Sequence, residues 1–144
     1  MKVYVLHYQC YDESEIHGVY TEDAMKKELA KYAEWGRERN EKAIAEQKKR
    51  IEQLKARRHK LGQRDREIQE QQKQIKADNE KADSVLKSER KRLMREMTQL
   101  AVTIMNQESG LEKMESLTDS QLAEQEMNRG HMYFEEFDVF GMRD

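Results

Sequence analysis

The 144-residue sequence contains no proline, a single cysteine (Cys10) and only six glycines, none of which is next to another. A lone cysteine excludes an intramolecular disulfide framework and favours a reducing compartment. The scattered glycines form no phosphate-cradling loop, and no Cys-x-x-Cys or His-x-x-x-His spacing indicates a metal site. We therefore expect no cofactor and no metal ligands, and we expect the protein to be cytoplasmic.

Apolar residues are also scarce, at 36% of the chain against 39% charged residues. No segment approaches the roughly 18 consecutive apolar residues that span a bilayer, and the first residues lack the apolar run of a signal peptide. The serines have no histidine near them in a pattern typical of nucleophilic catalysis. These absences predict a protein without a membrane partner, without catalytic residues and therefore not an enzyme.

Three segments at the two ends of the chain have the composition of strands. Residues Lys2–Tyr11 and Glu15–Tyr20 are rich in Val, Ile and Tyr, and Asp12–Ser14 has the composition of a turn that joins them as a hairpin. The aromatic and β-branched segment His131–Phe140 predicts a third strand. Because an isolated hairpin is marginal in water, we expect all three strands to form one antiparallel sheet.

A long helical region lies between these strands. Thr21 is a suitable N-cap, and Met25, Leu29 and Tyr32 follow at helical spacing, so the first part of the helix should cover one face of the sheet. Farther on, apolar residues continue on a seven-residue repeat, which predicts a coiled coil with several polar positions in its seam. The members of the repeat are Ile44, Ile51, Leu54, Leu61, Ile68, Ile75 and Ala82.

Two positions could fold this helical region back on itself. The repeat passes through Gly62 in phase, which indicates that the helix continues there, so the segment 76–84 is the favoured turn. One unbroken helix that exchanges its C-terminal strand with a second subunit is the remaining alternative. Gly110 is expected to break the helix, and Thr118 opens a capping box for a short helix through about Met127.

The sequence thus predicts an α+β fold, in which a small three-stranded antiparallel sheet carries a long antiparallel coiled-coil helical arm. The predicted domains are a β head (residues 1–20 with 130–144), the arm (21–109) and short helices that return to the head (110–129).

Charge is unevenly distributed along the chain. Residues 1–35 carry 4 basic and 7 acidic side chains, residues 36–95 carry 20 and 11, and residues 96–144 carry 3 and 11. A basic ridge on the arm could contact an acidic partner or the phosphates of a nucleic acid, whereas the alternative is a solvated helix face. The candidate contacts are Lys48, Lys49, Arg50, Lys55, Arg57, Arg58, Lys60, Arg64, Arg66, Arg90, Lys91, Arg92 and Arg95.

A second candidate surface lies on the first strand. If the helix covers Val3 and Val5, the face with Tyr4, Leu6 and Tyr8 is left exposed, and exposed apolar patches usually mark an interface. The alternative is that the short helix near Leu122 covers this face. Pairing of two copies is among the expected uses of such a patch, so a homo-oligomer, specifically a dimer, is predicted.

The segments K-V-Y-V-L at the start, G-V-Y-T-E-D-A at residues 18–24 and Y-F-E-E-F-D-V-F near the end resemble small uncharacterised β-β-α-β proteins of bacteria and phages. The resemblance implies the fold of the head and a prokaryotic or phage origin, and it implies no activity. We expect a non-enzymatic regulatory protein with a protein partner, such as a phage-encoded inhibitor that occupies the surface of a host complex. The alternative is an accessory protein that binds nucleic acid non-specifically through the basic arm.

Overall fold

The computed structural model describes residues 1–75 and 79–139. The elements in chain order are strands β1 (Lys2–Cys10) and β2 (Glu13–Tyr20), helices α1 (Glu22–Gln74), α2 (Glu80–Glu115) and α3 (Asp119–Arg129), and strand β3 (Met132–Asp138). The chain divides into a sheet unit (Met1–Ala43 with Ser116–Asp144) and a helical unit (Ile44–Glu115). Within the described residues, no helix is apolar enough over a sufficient length to cross a membrane.

The three strands form one antiparallel sheet in the order β2-β1-β3, so the predicted α+β fold with a three-stranded antiparallel sheet is confirmed. Cys10 pairs with Glu13, which leaves a two-residue turn and not the predicted turn at Asp12–Ser14. Tyr11, the first residue of this turn, has a positive φ of 53° and is exposed to solvent. Strand β3 ends at Asp138, and Phe140, its predicted last residue, lies outside the described residues.

The predicted exposure of the Tyr4, Leu6 and Tyr8 face is wrong. Leu6 is only 3% exposed, and the strand partners of Leu6 and Tyr8 are Phe134 and Met132. These two β3 residues line a groove together with residues of α1 and α3, namely Met25, Leu29, Ser120, Glu124, Met127 and Asn128. The helices therefore cover this face, as the alternative held. On the opposite face Val5 is also buried, but apolar residues of the two outer strands are exposed there.

Helices α1 and α3 pack closely within the sheet unit. A β-carbon added to Gly36 would lie 2.8 Å from the backbone oxygen of Leu122, so the two backbones approach at a distance that excludes a side chain. Thr118 caps α3 with the predicted capping box, in which its hydroxyl accepts a hydrogen bond from the backbone N–H of Gln121. Two ion pairs flank the contact, Arg37 with Asp119 at 2.9 Å and Arg39 with Glu126 at 2.6 Å.

In the helical unit, α1 and α2 run antiparallel, because residues early in one helix contact residues late in the other. Gln47 donates to the backbone oxygen of Gln107 at 3.0 Å, whereas farther along α1 Arg64 pairs with Glu89 at 2.9 Å. The buried apolar residues of this unit are Ile51, Ile68, Leu93, Leu100 and Ile104, and Asp65 is buried among them.

The helix ends differ in part from the prediction. Helix α1 continues through Gly62, as predicted, whereas the predicted break at Gly110 is wrong because α2 runs on to Glu115. Gly110 is half-buried near Gln47, and a single glycine inside a helix costs only about 1 kcal/mol, which packing compensates. The predicted arm boundary at residue 109 therefore falls inside α2, and only α3 and the end of α2 occupy 110–129.

The helical region is not one unbroken helix, because α1 ends at Gln74, α2 begins at Glu80, and the two pair with each other. Of the predicted turn at 76–84, residues 80–84 are helical and residues 76–78 lie outside those described.

Candidate binding surfaces

The uncovered face of the sheet is a broad apolar surface, here called the open face. It arises because residues that pair across an antiparallel sheet point to the same side. Val5 pairs with Val19, His7 with Ile16 and Tyr133, and Val3 with Phe137. The open face therefore consists of Val3, Val5, His7, Gln9, Ile16, Val19, Tyr133, Glu135 and Phe137.

Four apolar side chains of the open face are 41% to 66% exposed: Ile16, Val19, Tyr133 and Phe137. They come from the two outer strands and border the central Val5, which is 9% exposed. An apolar surface shared by three strands differs from the single exposed apolar residues that every soluble protein carries. Any function proposed for the open face must therefore account for this group of exposed apolar side chains.

One polar group, His7, lies in the middle of the open face. Its ring stacks on Tyr133 with centroids 4.9 Å apart, and its Nε2 atom lies 3.0 Å from Oε2 of Glu135. Despite this close approach, the Nε2 atom is buried and has no hydrogen-bond partner within the residues described. The stacked pair thus places two rings side by side at the centre of the face, with the carboxylate of Glu135 beside them.

The sequence contained the signal for the open face, because Val3, Val5 and His7 already share one side of β1 by their alternation. It did not indicate which side the helices cover, since both sides of β1 are apolar. The residues that sequence reasoning missed as binding candidates are therefore Ile16, Val19, Tyr133 and Phe137.

Charged groups at the end of the sheet are paired. Lys2 Nζ lies 3.1 Å from Oε1 of Glu136, and the Tyr4 hydroxyl donates to the same oxygen at 3.3 Å. The hydrogen bond from Lys2 lowers the pKa of Glu136, and partial burial together with this carboxylate raises the pKa of Tyr4. Glu136 is thus held ionised and is unsuited to donate a proton near neutral pH.

Tyr8 lies on the covered side of the sheet, with Leu6. Tyr8 lies near the rings of His17 (5.7 Å) and His131 (6.4 Å), and hydrogen bonding with Cys10 raises the pKa of Tyr8. Among residues 1–75 and 79–139, no three His, Cys, Asp or Glu side chains are grouped to hold a metal ion.

Three of the thirteen basic candidates take part in ion pairs. Lys55 pairs with Glu108 at 3.3 Å, Arg90 with Asp65 at 3.0 Å, and Arg64 with both Glu89 and Glu67. The hydrogen bonds that Arg64 donates to Glu89 raise the pKa of Arg64. In the described part of the chain the other ten are exposed and have no acidic partner: Lys48, Lys49, Arg50, Arg57, Arg58, Lys60, Arg66, Lys91, Arg92 and Arg95.

These exposed cations do not form one ridge. At about 100° per residue, Arg50 and Arg57 flank the buried side of α1 on one side, Lys48 flanks it on the other, and Lys49 points away from it. The helical unit nevertheless carries 18 basic and 13 acidic residues, a net charge of +5, and the sheet unit carries 9 and 16, a net charge of −7.

Comparisons with protein-family models, with curated protein sequences and with solved structures find no match to this chain. The resemblance of its ends to small β-β-α-β proteins stays a prediction.

Proposed function

We propose that this chain is a non-enzymatic binding protein of the cytoplasm that regulates a partner protein by covering part of its surface. The proposal is carried by one observation, the open face of the sheet with its four exposed apolar side chains. An inhibitor of a host complex encoded by a phage is the form of this function that the resemblance favours. Self-association, also expected from the sequence, is a separate proposal and concerns a different surface, on α2.

The energetics of the open face favour a protein over a small ligand. Fully covering a Val, Ile or Phe side chain contributes about 1.5–3 kcal/mol, and the face presents several such side chains next to one another on the sheet. A flat apolar centre with a polar rim is typical of protein–protein interfaces. The partner surface should therefore be apolar at its centre.

The charge of the sheet unit indicates the rim of the partner. A net charge of −7, with Glu135 on the open face itself, favours a partner that carries basic side chains around its apolar centre. Such charge complementarity mainly raises the association rate and the specificity against acidic proteins. Its contribution to the affinity is smaller.

The test compares two matched substitutions, Val19→Asp on the open face and Val85→Asp on α2. The two valines are 65% and 66% exposed, so both substitutions place a charge on equally accessible apolar positions. A protein captured from a lysate of the bacterial host is purified, and its dissociation constant is measured by calorimetry with the wild type and with both variants.

We expect Val19→Asp to raise the dissociation constant at least ten-fold, which corresponds to about 1.4 kcal/mol, and Val85→Asp to change it less than two-fold. Ile16→Thr with Val19→Thr, which keeps β-branched side chains in the strand, should weaken binding in the same direction. Equal affinity of wild type and Val19→Asp, or an equal loss with Val85→Asp, would refute the assignment.

Binding of nucleic acid is a second candidate, and one observation favours it: ten exposed cations without acidic partners lie in a unit of net charge +5. Because such contacts would reach phosphates, binding should be independent of sequence and should weaken steeply with salt. A gel shift with duplex DNA and with RNA at 50 and 200 mM salt tests this. No complex at 50 mM salt and tens of micromolar protein rejects the candidate.

A further inference from the structure

Helix α2 carries a second row of residues on a side away from its buried residues. The row follows alternating steps of four and three residues, the spacing of a helix–helix seam. It consists of Lys87, Lys91, Met94, Thr98, Ala101, Met105, Glu108 and Glu112 and is here called the outer seam. The buried residues Leu93, Leu100 and Ile104 lie about 90° to 130° around the helix from its centre.

The middle of the outer seam is apolar and open to solvent. Met94, Met105 and the neighbouring Val102 are 53% to 69% exposed, which places them among the most exposed apolar side chains of the helical unit. The Thr98 hydroxyl donates to the backbone oxygen of Met94 at 2.8 Å, so this hydroxyl is already satisfied within the helix. Thr98 can therefore be covered by another helix without leaving an unpaired polar group.

The charges of the outer seam are arranged symmetrically about its middle. Two lysines, Lys87 and Lys91, precede the apolar stretch, and two glutamates, Glu108 and Glu112, follow it. The midpoint lies between Thr98 and Ala101. If a second copy of the helix is laid antiparallel about this midpoint, Lys91 faces Glu108 and Lys87 faces Glu112 of the other copy, while Met94 faces Met105.

We infer that two copies of this chain associate through the outer seams of their α2 helices, in an antiparallel arrangement around a two-fold axis. A two-fold interface requires a surface that is complementary to itself, and a row that reads basic, apolar, acidic fulfils this only in the antiparallel direction. A parallel arrangement would place lysine against lysine and glutamate against glutamate. The charges thus specify both the occupant and its direction.

The two lysines and two glutamates of the outer seam remain available for ion pairs with a second copy. Lys91 and Glu112 have no ion pair within residues 1–75 and 79–139, and all four side chains are exposed. Lys87 contacts Asp83 at 3.0 Å and Glu108 contacts Lys55 at 3.3 Å, but exposed pairs of this kind hold their partners weakly. A groove along the basic end is lined by Lys87, Arg90, Lys91, Met94 and Arg95. Because Asp65 holds Arg90, the other three cations are those that the two glutamates of the second copy can approach.

The association does not depend on the function proposed above, because it concerns the isolated protein and a different surface. The apolar stretch is short and built from methionine, threonine and alanine, so we expect a dissociation constant in the micromolar range. Sedimentation velocity and light scattering of the full chain between 1 and 300 µM should give a mass that rises from the 17.3 kDa of one chain to twice that value.

Charge reversal tests the pairing directly. One variant, Glu108→Lys with Glu112→Lys, makes the whole outer seam basic, and another, Lys87→Glu with Lys91→Glu, makes it acidic. Each variant alone should lose dimerisation at least ten-fold, because like charges then face each other across the two-fold axis. An equimolar mixture of the two should form a heterodimer at least as tight as the wild-type dimer.

Arg92→Glu is the matched control, since Arg92 is an exposed cation on α2 that lies outside the outer seam. It should leave the dimerisation constant within two-fold of the wild type, and circular dichroism should give the same helical signal for every variant. A wild-type chain that stays monomeric up to 300 µM overturns the inference. So does a dimer that both charge-reversed variants retain, and so does a mixture of the two folded variants that remains monomeric.

Discussion

At the scale of single residues, Gly36 and Gly62 lie in the same helix but in opposite surroundings. A β-carbon at Gly36 would meet the Leu122 backbone oxygen at 2.8 Å and the Leu122 β-carbon at 2.9 Å, whereas a β-carbon at Gly62 would meet nothing within 4 Å. Both glycines carry the same intrinsic penalty in a helix. The difference between them therefore isolates the effect of packing.

We predict that Gly36→Ala and Gly62→Ala change the stability in opposite directions. In Gly36→Ala, overpacking against Leu122 should outweigh the gain in helix propensity. The net effect should be a free energy of unfolding lower by about 1–3 kcal/mol. Gly62→Ala should raise it by up to about 1 kcal/mol. Urea unfolding followed by circular dichroism measures both, and a stabilised Gly36→Ala would contradict the close approach of α1 and α3.

The Lys2–Glu136 pair makes a prediction about pH. The pKa of Glu136 lies below its ordinary value because of Lys2, so the pair stabilises the fold above that ordinary value and loses its contribution as the pH falls through the lowered pKa. In the variant Lys2→Met, the pKa of Glu136 should rise toward its ordinary value, as measured by NMR titration of side-chain carboxyls. Lys26→Met, which removes a lysine paired with Glu22, is the control and should leave the pKa of Glu136 unchanged.

At the scale of elements, a partly buried ion pair aligns the two helices of the helical unit. Asp65 is 8% exposed, accepts from Arg90 Nε at 3.0 Å, and also accepts from Gln69 at 3.0 Å. Arg90 in addition donates to Gln72 at 3.3 Å. Since an unpaired buried charge is costly, this network disfavours any register in which Asp65 and Arg90 do not meet.

We predict a large coupling energy between Asp65 and Arg90 and a small one between Lys55 and Glu108. In a double-mutant cycle with Asp65→Ala and Arg90→Ala, the coupling should be about 1–3 kcal/mol, because a hydrogen-bonded, largely buried carboxylate loses its partner. The exposed pair at 3.3 Å should give at most about 1 kcal/mol in the equivalent cycle. Equal couplings would mean that burial does not distinguish the two pairs.

The elements themselves could be predicted from sequence wherever the pattern is local. The three strands, the N-terminal start of α1 and the capping box at Thr118 follow from alternation and from capping residues, which act within a few positions. The break expected at Gly110 was wrong because the propensity of one glycine, about 1 kcal/mol, is smaller than the packing energy of a long helix pair.

The candidate binding face could not be assigned from sequence because its environment is non-local. Tyr4, Leu6 and Tyr8 and their neighbours Val3 and Val5 are apolar on both sides of β1, so alternation alone leaves the covered side undecided. The choice depends on Met132 and Phe134, which pair with β1 more than 120 residues later in the chain. Likewise, Arg64 and Arg90 were basic candidates, and each pairs with an acidic residue 25 positions away on the other helix.

At the scale of the whole molecule, the main feature is the opposite net charge of the two units, −7 and +5 in a chain of net charge −2. Repulsion between molecules is therefore weak, whereas the sheet unit of one molecule and the helical unit of another attract each other. The Debye length is about 30 Å at 10 mM salt and about 8 Å at 150 mM, so only low salt lets this attraction extend between molecules.

We predict that the second virial coefficient at pH 7, measured by static light scattering, is lower at 10 mM than at 150 mM salt. A protein with evenly mixed charges would show the opposite trend or none, because salt only screens its net repulsion.

The variant Lys48→Glu with Glu124→Lys exchanges two exposed charges between the units, which keeps the net charge at −2 but reduces the units to −5 and +3. This variant should show a smaller salt effect than the wild type. Sedimentation velocity at both salt concentrations, which resolves monomer from dimer, separates this effect from dimerisation. An unchanged salt effect in the variant would rule out charge segregation as its cause.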